Sequence, residues 1–360
     1  MKTQARDAID AMVTHLDVED QLNAKIRLNF NESPYATSVA LTDSISEAIQ
    51  TVDWNRYPDR CAVKLRRSIA EFYGVSPEQI FAANGSNEVL QCLLLAFAAA
   101  SGSVAVFEPT YSLYEHLIGV TGAEMISGER LEDFTLDVDR AVELISTERP
   151  SLTFLCSPNN TTGLAEPIET IAAVLEAVRS VGGLLCVDEA YGEFASRSAL
   201  ELLRNDSDSP LVVTRTFSKA AWGMAAARLG YLVGTTSIVE QLDKVVLPYH
   251  LDTLKQAIGI TTLQHEEDMR KRVATITAGR VQLMSSLAEL PVKTWPSEAN
   301  FILFRTLTMP ATEVWQQLLN RSVLVRNCSS WPYFEGCLRV SVGTPSEIEF
   351  FVAALTEILT

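Results

Sequence analysis

No two cysteines in this 360-residue chain stand at CxxC spacing, although six are present. Cys61, Cys92, Cys156, Cys186, Cys328 and Cys337 are scattered, most of them within apolar runs. They read as small core residues of a reducing compartment, and no metal site is expected from them. No apolar stretch approaches the roughly 20 residues that cross a bilayer, and the start, Met1-Lys2-Thr3-Gln4-Ala5-Arg6-Asp7, lacks the apolar region of a secretion signal. The expected location is cytoplasmic, where the overlapping sequons at Asn159 and Asn160 carry no glycan. Positive charge is scarce as well: 29 Lys and Arg against 45 Asp and Glu leave a formal net charge of −16. That balance disfavours a general nucleic-acid or anionic-membrane surface, because both need a basic patch to neutralise phosphates. An anionic small molecule would have to be met by a few localised arginines.

What is present suits a globular protein, with 47% hydrophobic and 21% charged residues. The length exceeds that at which one core usually stops growing, so about two domains are expected. From about residue 60 to 235, β-rich apolar runs alternate with segments of helical period. The runs are Val104–Phe107, Leu152–Leu155, Leu184–Val187, Leu211–Val213 and Leu229–Val233; helix candidates include Glu88 to Ala100, Tyr114 to Thr121 and Ile168 to Val181. This alternation predicts an α/β fold with a mostly parallel, doubly wound sheet covered on both faces. The polar opening residues read as an amino-terminal arm, 1–33, preceding a large domain, 34–247. After Pro248 the texture changes. Thr253 to about Leu290 reads as one extended or kinked helix, followed by strand Phe301–Phe304, helix Thr312–Leu319, strands Val323–Val325 and Leu338–Ser341, and a closing helix from Glu347. That tail predicts a smaller α+β domain, 248–360.

Lysine is rare too, and one of the eight is placed unlike the rest. Lys219, in Thr216-Phe217-Ser218-Lys219, follows the apolar run at Leu211–Val213, where a parallel sheet delivers side chains to a ligand crevice. Partly desolvated there, a lysine becomes a usable amine nucleophile, which makes a Schiff base the leading reading. Four other run ends carry polar groups. Asn84-Gly85-Ser86-Asn87-Glu88 opens a helix and offers free amides, a hydroxyl and a positive dipole end to a phosphate, although an ordinary helix cap has the same composition. Glu108-Pro109-Thr110-Tyr111 brings a ring that could stack on a flat ligand or on protein. Ser157-Pro158-Asn159-Asn160-Thr161-Thr162-Gly163 is rich in turn formers and amides. Val187-Asp188-Glu189-Ala190-Tyr191 ends a strand in a carboxylate that needs a partner, followed by a phenol. Together these supply a phosphate cradle, a stacking ring, a neutral donor, a carboxylate and an amine, which is the inventory that pyridoxal phosphate requires.

The ordered set resembles the fold-type I pyridoxal-phosphate aminotransferases, and more closely their histidinol-phosphate branch, from about Leu28 to the C-terminus. The resemblance implies that Lys219 holds the cofactor aldehyde and shuttles the proton, that Asp188 pairs with the pyridine nitrogen, and that Asn160 and Tyr191 bond the ring hydroxyl oxygen. It further implies that Gly85, Ser86, Asn87, Ser218 and Arg228 hold the phosphate and that Tyr111 stacks on the ring. Tyr57, in Asn55-Arg56-Tyr57-Pro58, would reach into the neighbouring subunit's site, making a homodimer with shared active sites. Arg326 and Arg339, thirteen residues apart, can grip one anion through forked hydrogen bonds. By resemblance both face the substrate, and the segment Asn31-Glu32-Ser33-Pro34-Tyr35 closes over it with Tyr35.

The implied reaction is transamination between an amino donor and a 2-oxo acid acceptor, with histidinol phosphate and 2-oxoglutarate as the favoured pair. An aromatic amino-acid aminotransferase, a decarboxylase of a phosphorylated amino acid such as threonine phosphate, and a regulatory protein that keeps only the fold remain alternatives. Three positions depart from the family pattern. Thr161 stands where a proline usually follows Asn160, so a cis peptide there would cost about 2.5–4 kcal/mol. Arg228 lies nine positions after Lys219, one more than usual, as if an alanine were added in Lys219-Ala220-Ala221-Trp222-Gly223. Asn87 replaces a more usual aspartate.

Overall fold

The structure is a computed structural model that describes residues 9, 12, 23–99, 102–204, 206 and 208–360. Most of the expected arm, 1–33, therefore lies outside the described residues, as does Ala100 at the end of the first expected helix. The described strands are β1 (Ile26–Leu28), β2 (Ile80–Ala83), β3 (Ser103–Glu108), β4 (Glu124–Glu129), β5 (Leu152–Cys156), β6 (Leu184–Asp188), β7 (Leu211–Thr216), β8 (Gly230–Val233), β9 (Val292–Thr294), β10 (Phe301–Thr306), β11 (Val323–Asn327) and β12 (Cys337–Ser341).

Seven of them form one sheet in the order β2-β8-β7-β6-β5-β3-β4. From β7 to β4 every pairing is parallel, while β8 runs antiparallel to both β7 and β2. The central strands are buried along their whole length, so their sequences show no polar alternation. Their side chains nevertheless alternate between two cores. Leu155, Leu185, Val187, Leu211 and Val213 face one, and Leu152, Phe154, Leu184, Cys186 and Val212 face the other. Helices cover both faces. Ile168–Val181 buries Ile171, Val174, Leu175 and Val178, a spacing of three and four residues that marks one helical stripe. It stops at Gly182, whose φ of 75° suits a residue without Cβ.

The second sheet has the order β1-β11-β12-β10-β9, with β1 parallel to β11 and the remaining pairs antiparallel. Its first strand thus comes from the amino-terminal segment. The expected single helix from Thr253 to Leu290 is two helices, Thr253–Gln264 and Glu266–Ala288. They break at His265 (φ −102°, ψ 37°), and Glu266, Glu267 and Asp268 fill the first turn of the second, where its dipole favours negative charge. The closing helix starts at Pro345 rather than Glu347, because Thr344 caps it. The Thr344 hydroxyl accepts from Glu347 N, and the Glu347 carboxylate accepts from Thr344 N at 2.7 Å. The helix expected over Glu88–Ala100 runs from Ser86 to Phe97, since Gly85 serves as its N-cap. Among the described residues no helix is long and apolar enough to cross a membrane.

Candidate active site

The carboxyl ends of β5, β6 and β7 open on a cavity of about 130 Å³, where an open α/β sheet is expected to bind a ligand. Ser86, Asn87, Cys156, Asp188, Tyr191 and Lys219 are among the residues that line it.

The wall at the helix start is built for an anion. Gly85 (φ 81°) caps the helix Ser86–Phe97 without any side-chain hydrogen bond, so the opening N–H groups are left for a ligand. Two glycines let the backbone close up here. A Cβ on Gly85 would lie 3.0 Å from Arg228 Nη2, and one on Gly230 would lie 2.2 Å from Ser86 N. Asn84 braces the loop by donating through its side chain to Glu88 Oε2 at 2.8 Å and to the His250 carbonyl at 2.9 Å. Arg228 lines the cavity despite the extra residue before it. The loop after Lys219 turns back on itself, with Gly223 N donating to Lys219 O and Met224 N to Phe217 O. A short 3₁₀ turn at Ala225–Ala227 follows, and Arg228 takes a left-handed conformation, φ 49°. From there its Nη1 donates to Ser218 Oγ at 3.0 Å.

At the carboxyl end of β6, Asp188 is 2% exposed. Its Oδ1 accepts from Thr214 Oγ1 at 2.9 Å and from Ala190 N at 3.2 Å, and its Oδ2 accepts from Tyr114 OH at 2.9 Å. Burial raises its pKa above the usual carboxylate range against those bonds and the nearby charge of Lys219. A cation set against the carboxylate would offset that burial. Lys219 Nζ lies 5.4 Å from the centroid of the Tyr191 ring. Tyr191 OH accepts from Asn31 Nδ2 at 3.0 Å, and its ring stands edge-on to Phe301. Tyr111 donates to Asn87 Oδ1 at 3.3 Å and packs edge-on against Tyr114; burial pushes the Tyr111 phenol up.

Asn160 joins this cavity to the smaller sheet. Its Oδ1 accepts from Arg339 Nη1 at 2.6 Å, which leaves the amide NH₂ as a donor at the cavity wall. Arg339, 6% exposed, also donates to Asn29 O and lies over Phe301. The Asn160–Thr161 peptide is trans; the cis peptides among the described residues are Glu108–Pro109 and Ser157–Pro158.

Five of the expected residues do not line this cavity: Gly85 adjoins it as the cap of the helix, Arg339 reaches it through Asn160, and Arg326, Tyr35 and Tyr57 lie apart. Arg326 is the register partner of Arg339 on β11, yet its guanidinium sits between the rings of Phe30 and Trp331, 5.7 and 5.2 Å away. There it lines a separate cavity of about 330 Å³ with Glu108, Glu115 and Tyr333. Tyr35 is half-buried against the core, its carbonyl accepting from Ser33 Oγ. Tyr57 is 82% exposed and stacks on Tyr249 at 4.7 Å.

Several site residues carry no signal strong enough to be read from sequence. Tyr114 and Thr214 hold Asp188, and Thr216 lines the cavity; Thr214-Arg215-Thr216, polar at the end of an apolar strand, was the available clue. Behind the wall Arg215 binds Glu189 at 2.5 Å and Glu193 at 3.2 Å, all three buried. A Cβ on Gly192 would meet Arg215 Cζ at 2.6 Å, so this guanidinium lies close against the turn that carries Asp188 and Tyr191. An anion cradle, a buried carboxylate and an amine in the wall of one cavity fit a flat, phosphorylated heteroaromatic aldehyde.

The family profile for aminotransferase class I and II matches residues 23–355. The chain is 42% identical over 350 residues to a histidinol-phosphate aminotransferase of Frankia casuarinae, covering 94% of this chain and 87% of that one. It is 41% identical over 342 residues to that of Thermobifida fusca, covering 93% and 90%. The structure resembles that of histidinol-phosphate aminotransferase from Sinorhizobium meliloti in complex with pyridoxal-5'-phosphate, with a TM-score of 0.89, 23% identity, and coverage of 100% and 98%.

Proposed function

We infer the chemistry from one premise: this chain belongs to the aminotransferase class I and II family. It is a pyridoxal-phosphate-dependent enzyme that transfers an amino group, from histidinol phosphate to 2-oxoglutarate, as the names of relatives at about 40% identity along the chain support. The observation that carries this reading is the buried Asp188 and the amine of Lys219 sharing one cavity with Ser86, the first residue of a helix whose Gly85 cap offers no side-chain hydrogen bond.

Bound pyridoxal 5'-phosphate supplies an aldehyde to an amine and a protonated ring that draws electrons from the bond being broken. In our reading Lys219 would hold the aldehyde and would move the proton at the donor's α-carbon. Asp188 holds the ring nitrogen protonated, its Tyr114 and Thr214 bonds fixing which way the carboxylate faces. Tyr191 and the Asn160 NH₂ would bond the ring oxygen, Tyr111 would cover the ring, and Gly85, Ser86, Asn87, Ser218 and Arg228 would hold the phosphate. Arg339, Arg326 and Tyr35 receive the substrate's anionic group. The chain works as a cytoplasmic homodimer in which Tyr57 completes the neighbour's site, and it divides into an arm (1–33), a large domain (34–247) and a small domain (248–360).

Purified holoenzyme mixed separately with histidinol phosphate, phenylalanine, tyrosine and threonine phosphate tests the assignment through loss of its visible absorbance. Histidinol phosphate is expected to react fastest. A response to phenylalanine far exceeding it would overturn the substrate, and carbon dioxide from threonine phosphate without any oxo acid would identify a decarboxylase. Undiminished transamination by Lys219→Ala would remove the lysine's role.

A further inference from the structure

Asn31 is 2% exposed and adopts a left-handed conformation, φ 58°, which asparagine tolerates better than most residues. Its polar groups are committed on three sides. The backbone N–H donates to Ser341 Oγ at 3.0 Å, the Ser341 hydroxyl returns its single hydrogen to Asn31 Oδ1 at 3.0 Å, and Asn300 Nδ2 donates to Asn31 O at 3.1 Å. With Oδ1 accepting from Ser341, the amide NH₂ faces Tyr191 and donates to its hydroxyl at 3.0 Å. Turning the amide over would aim two N–H donors at Ser341 Oγ and take away the acceptor of the serine's own hydrogen.

A phenol has one hydrogen. Tyr191 OH accepts from Asn31, so that hydrogen is not spent on Asn31 and is directed elsewhere. Tyr191 is 1% exposed and lines the cavity, which leaves the cavity as the place for it. We propose that Asn31 is a positioning residue that fixes the hydrogen-bond polarity of Tyr191, obliging the phenol to donate into the cavity toward the ring oxygen of the coenzyme. The polarity is set from the other sheet, because Asn31 is oriented by Ser341 of β12 and by Asn300 just before β10. Donation to an oxygen that carries negative charge stabilises the charged form. Asn31 therefore lowers the pH at which the bound coenzyme gives up its proton, without touching it.

This inference rests on the coenzyme reading above, and its test separates the two. Holoenzymes of the parent, Asn31→Ala, Asn31→Asp, Tyr191→Phe and the Asn31→Ala/Tyr191→Phe pair are titrated with pH while the visible absorption band is followed. Thermal midpoints are taken in parallel. Asn31→Ala is expected to raise the pH midpoint of the band by about half to one unit, the size of one ordinary hydrogen bond. Asn31→Asp raises it further, since a carboxylate takes the phenol hydrogen out of the cavity. In the Tyr191→Phe background, Asn31→Ala adds nothing. Equal shifts with and without the phenol, or no shift in Asn31→Ala, overturn the proposal. Should Asn31→Ala not fold, Ser341→Ala, which frees the amide to turn, carries the same expectation and the same refutation. A parent protein that forms no visible band with pyridoxal 5'-phosphate refutes the coenzyme reading instead.

Discussion

Gly230→Ala places the smallest possible change where two backbones meet. The added Cβ would lie 2.2 Å from Ser86 N and 2.5 Å from Gly85 C, whereas ordinary contact begins at 3.4 Å. No flexible side chain stands in the way, so relief requires moving the start of the helix Ser86–Phe97 or the end of β8 by about 1.2 Å, the overlap at Ser86 N. Overpacking of this kind costs roughly 1–3 kcal/mol of stability. The displaced N–H groups are those we assign to the coenzyme phosphate, and a misplaced hydrogen-bonded anion forfeits about 1.5–3 kcal/mol, or roughly 10- to 100-fold in affinity. Thermal unfolding with and without pyridoxal 5'-phosphate, together with a coenzyme titration, reads both effects. Gly74→Ala is the control: it strains a positive φ, 67°, which Gly230 does not have, but meets nothing within 4 Å. If Gly230→Ala lowers the melting temperature and leaves coenzyme affinity intact, the helix start does not hold the phosphate. If neither changes, the close approach itself is refuted.

Arg215→Met leaves Glu189 and Glu193 buried without their cation and is expected to cost about 3–5 kcal/mol in urea unfolding, more than any surface pair in the chain. A smaller loss than that of Arg197→Met, whose pairs are exposed, would refute the clamp. Burial raises the Asp188 pKa, so in coenzyme-free protein the unfolded state loses this proton first. Stability from this group therefore falls as pH rises from the ordinary carboxylate value, about 3.9, to the raised one, and is level above it. Asp188→Asn should flatten that part of the stability profile, and an unchanged slope would contradict the assignment. If two chains share their sites as proposed, Tyr57→Ala and Lys219→Ala should each be nearly inactive alone, yet regain activity when co-refolded, because a mixed dimer would hold one site with both residues. Mixtures no more active than their parts would argue against shared sites.

The sequence was most legible where burial is symmetrical. The central strands β5, β6 and β7 announce themselves as unbroken apolar runs because both faces are covered, and the polar residues that follow each run mark the cavity edge. It was least legible at the margins. β4 is an edge strand, Glu-Met-Ile-Ser-Gly-Glu, with no apolar face to betray it. β1 spans three residues that gain strand geometry only from β11. Asp188 could be picked out alone, but its partners Tyr114 and Thr214 lie 74 and 26 positions away, and no local pattern ties them together. Asn31 belongs to the same class: its meaning comes from Tyr191 and Ser341, which only the fold brings near.

That last separation has a consequence for the making of the protein. Asn31 meets Ser341 across 310 positions, and β1 pairs with β11 in register Ile26 to Val323. A chain emerging from the ribosome can assemble β2 to β8, with Lys219, Asp188 and Tyr191 in place, while the strand made first still lacks β11 and the asparagine still lacks the Ser341 and Asn300 that orient it. Contacts of such sequence separation form late and slowly. Coenzyme captured before residue 341 is synthesised would meet a tyrosine whose hydrogen bonding is not yet set, so synthesis finishes the chemistry of the site last.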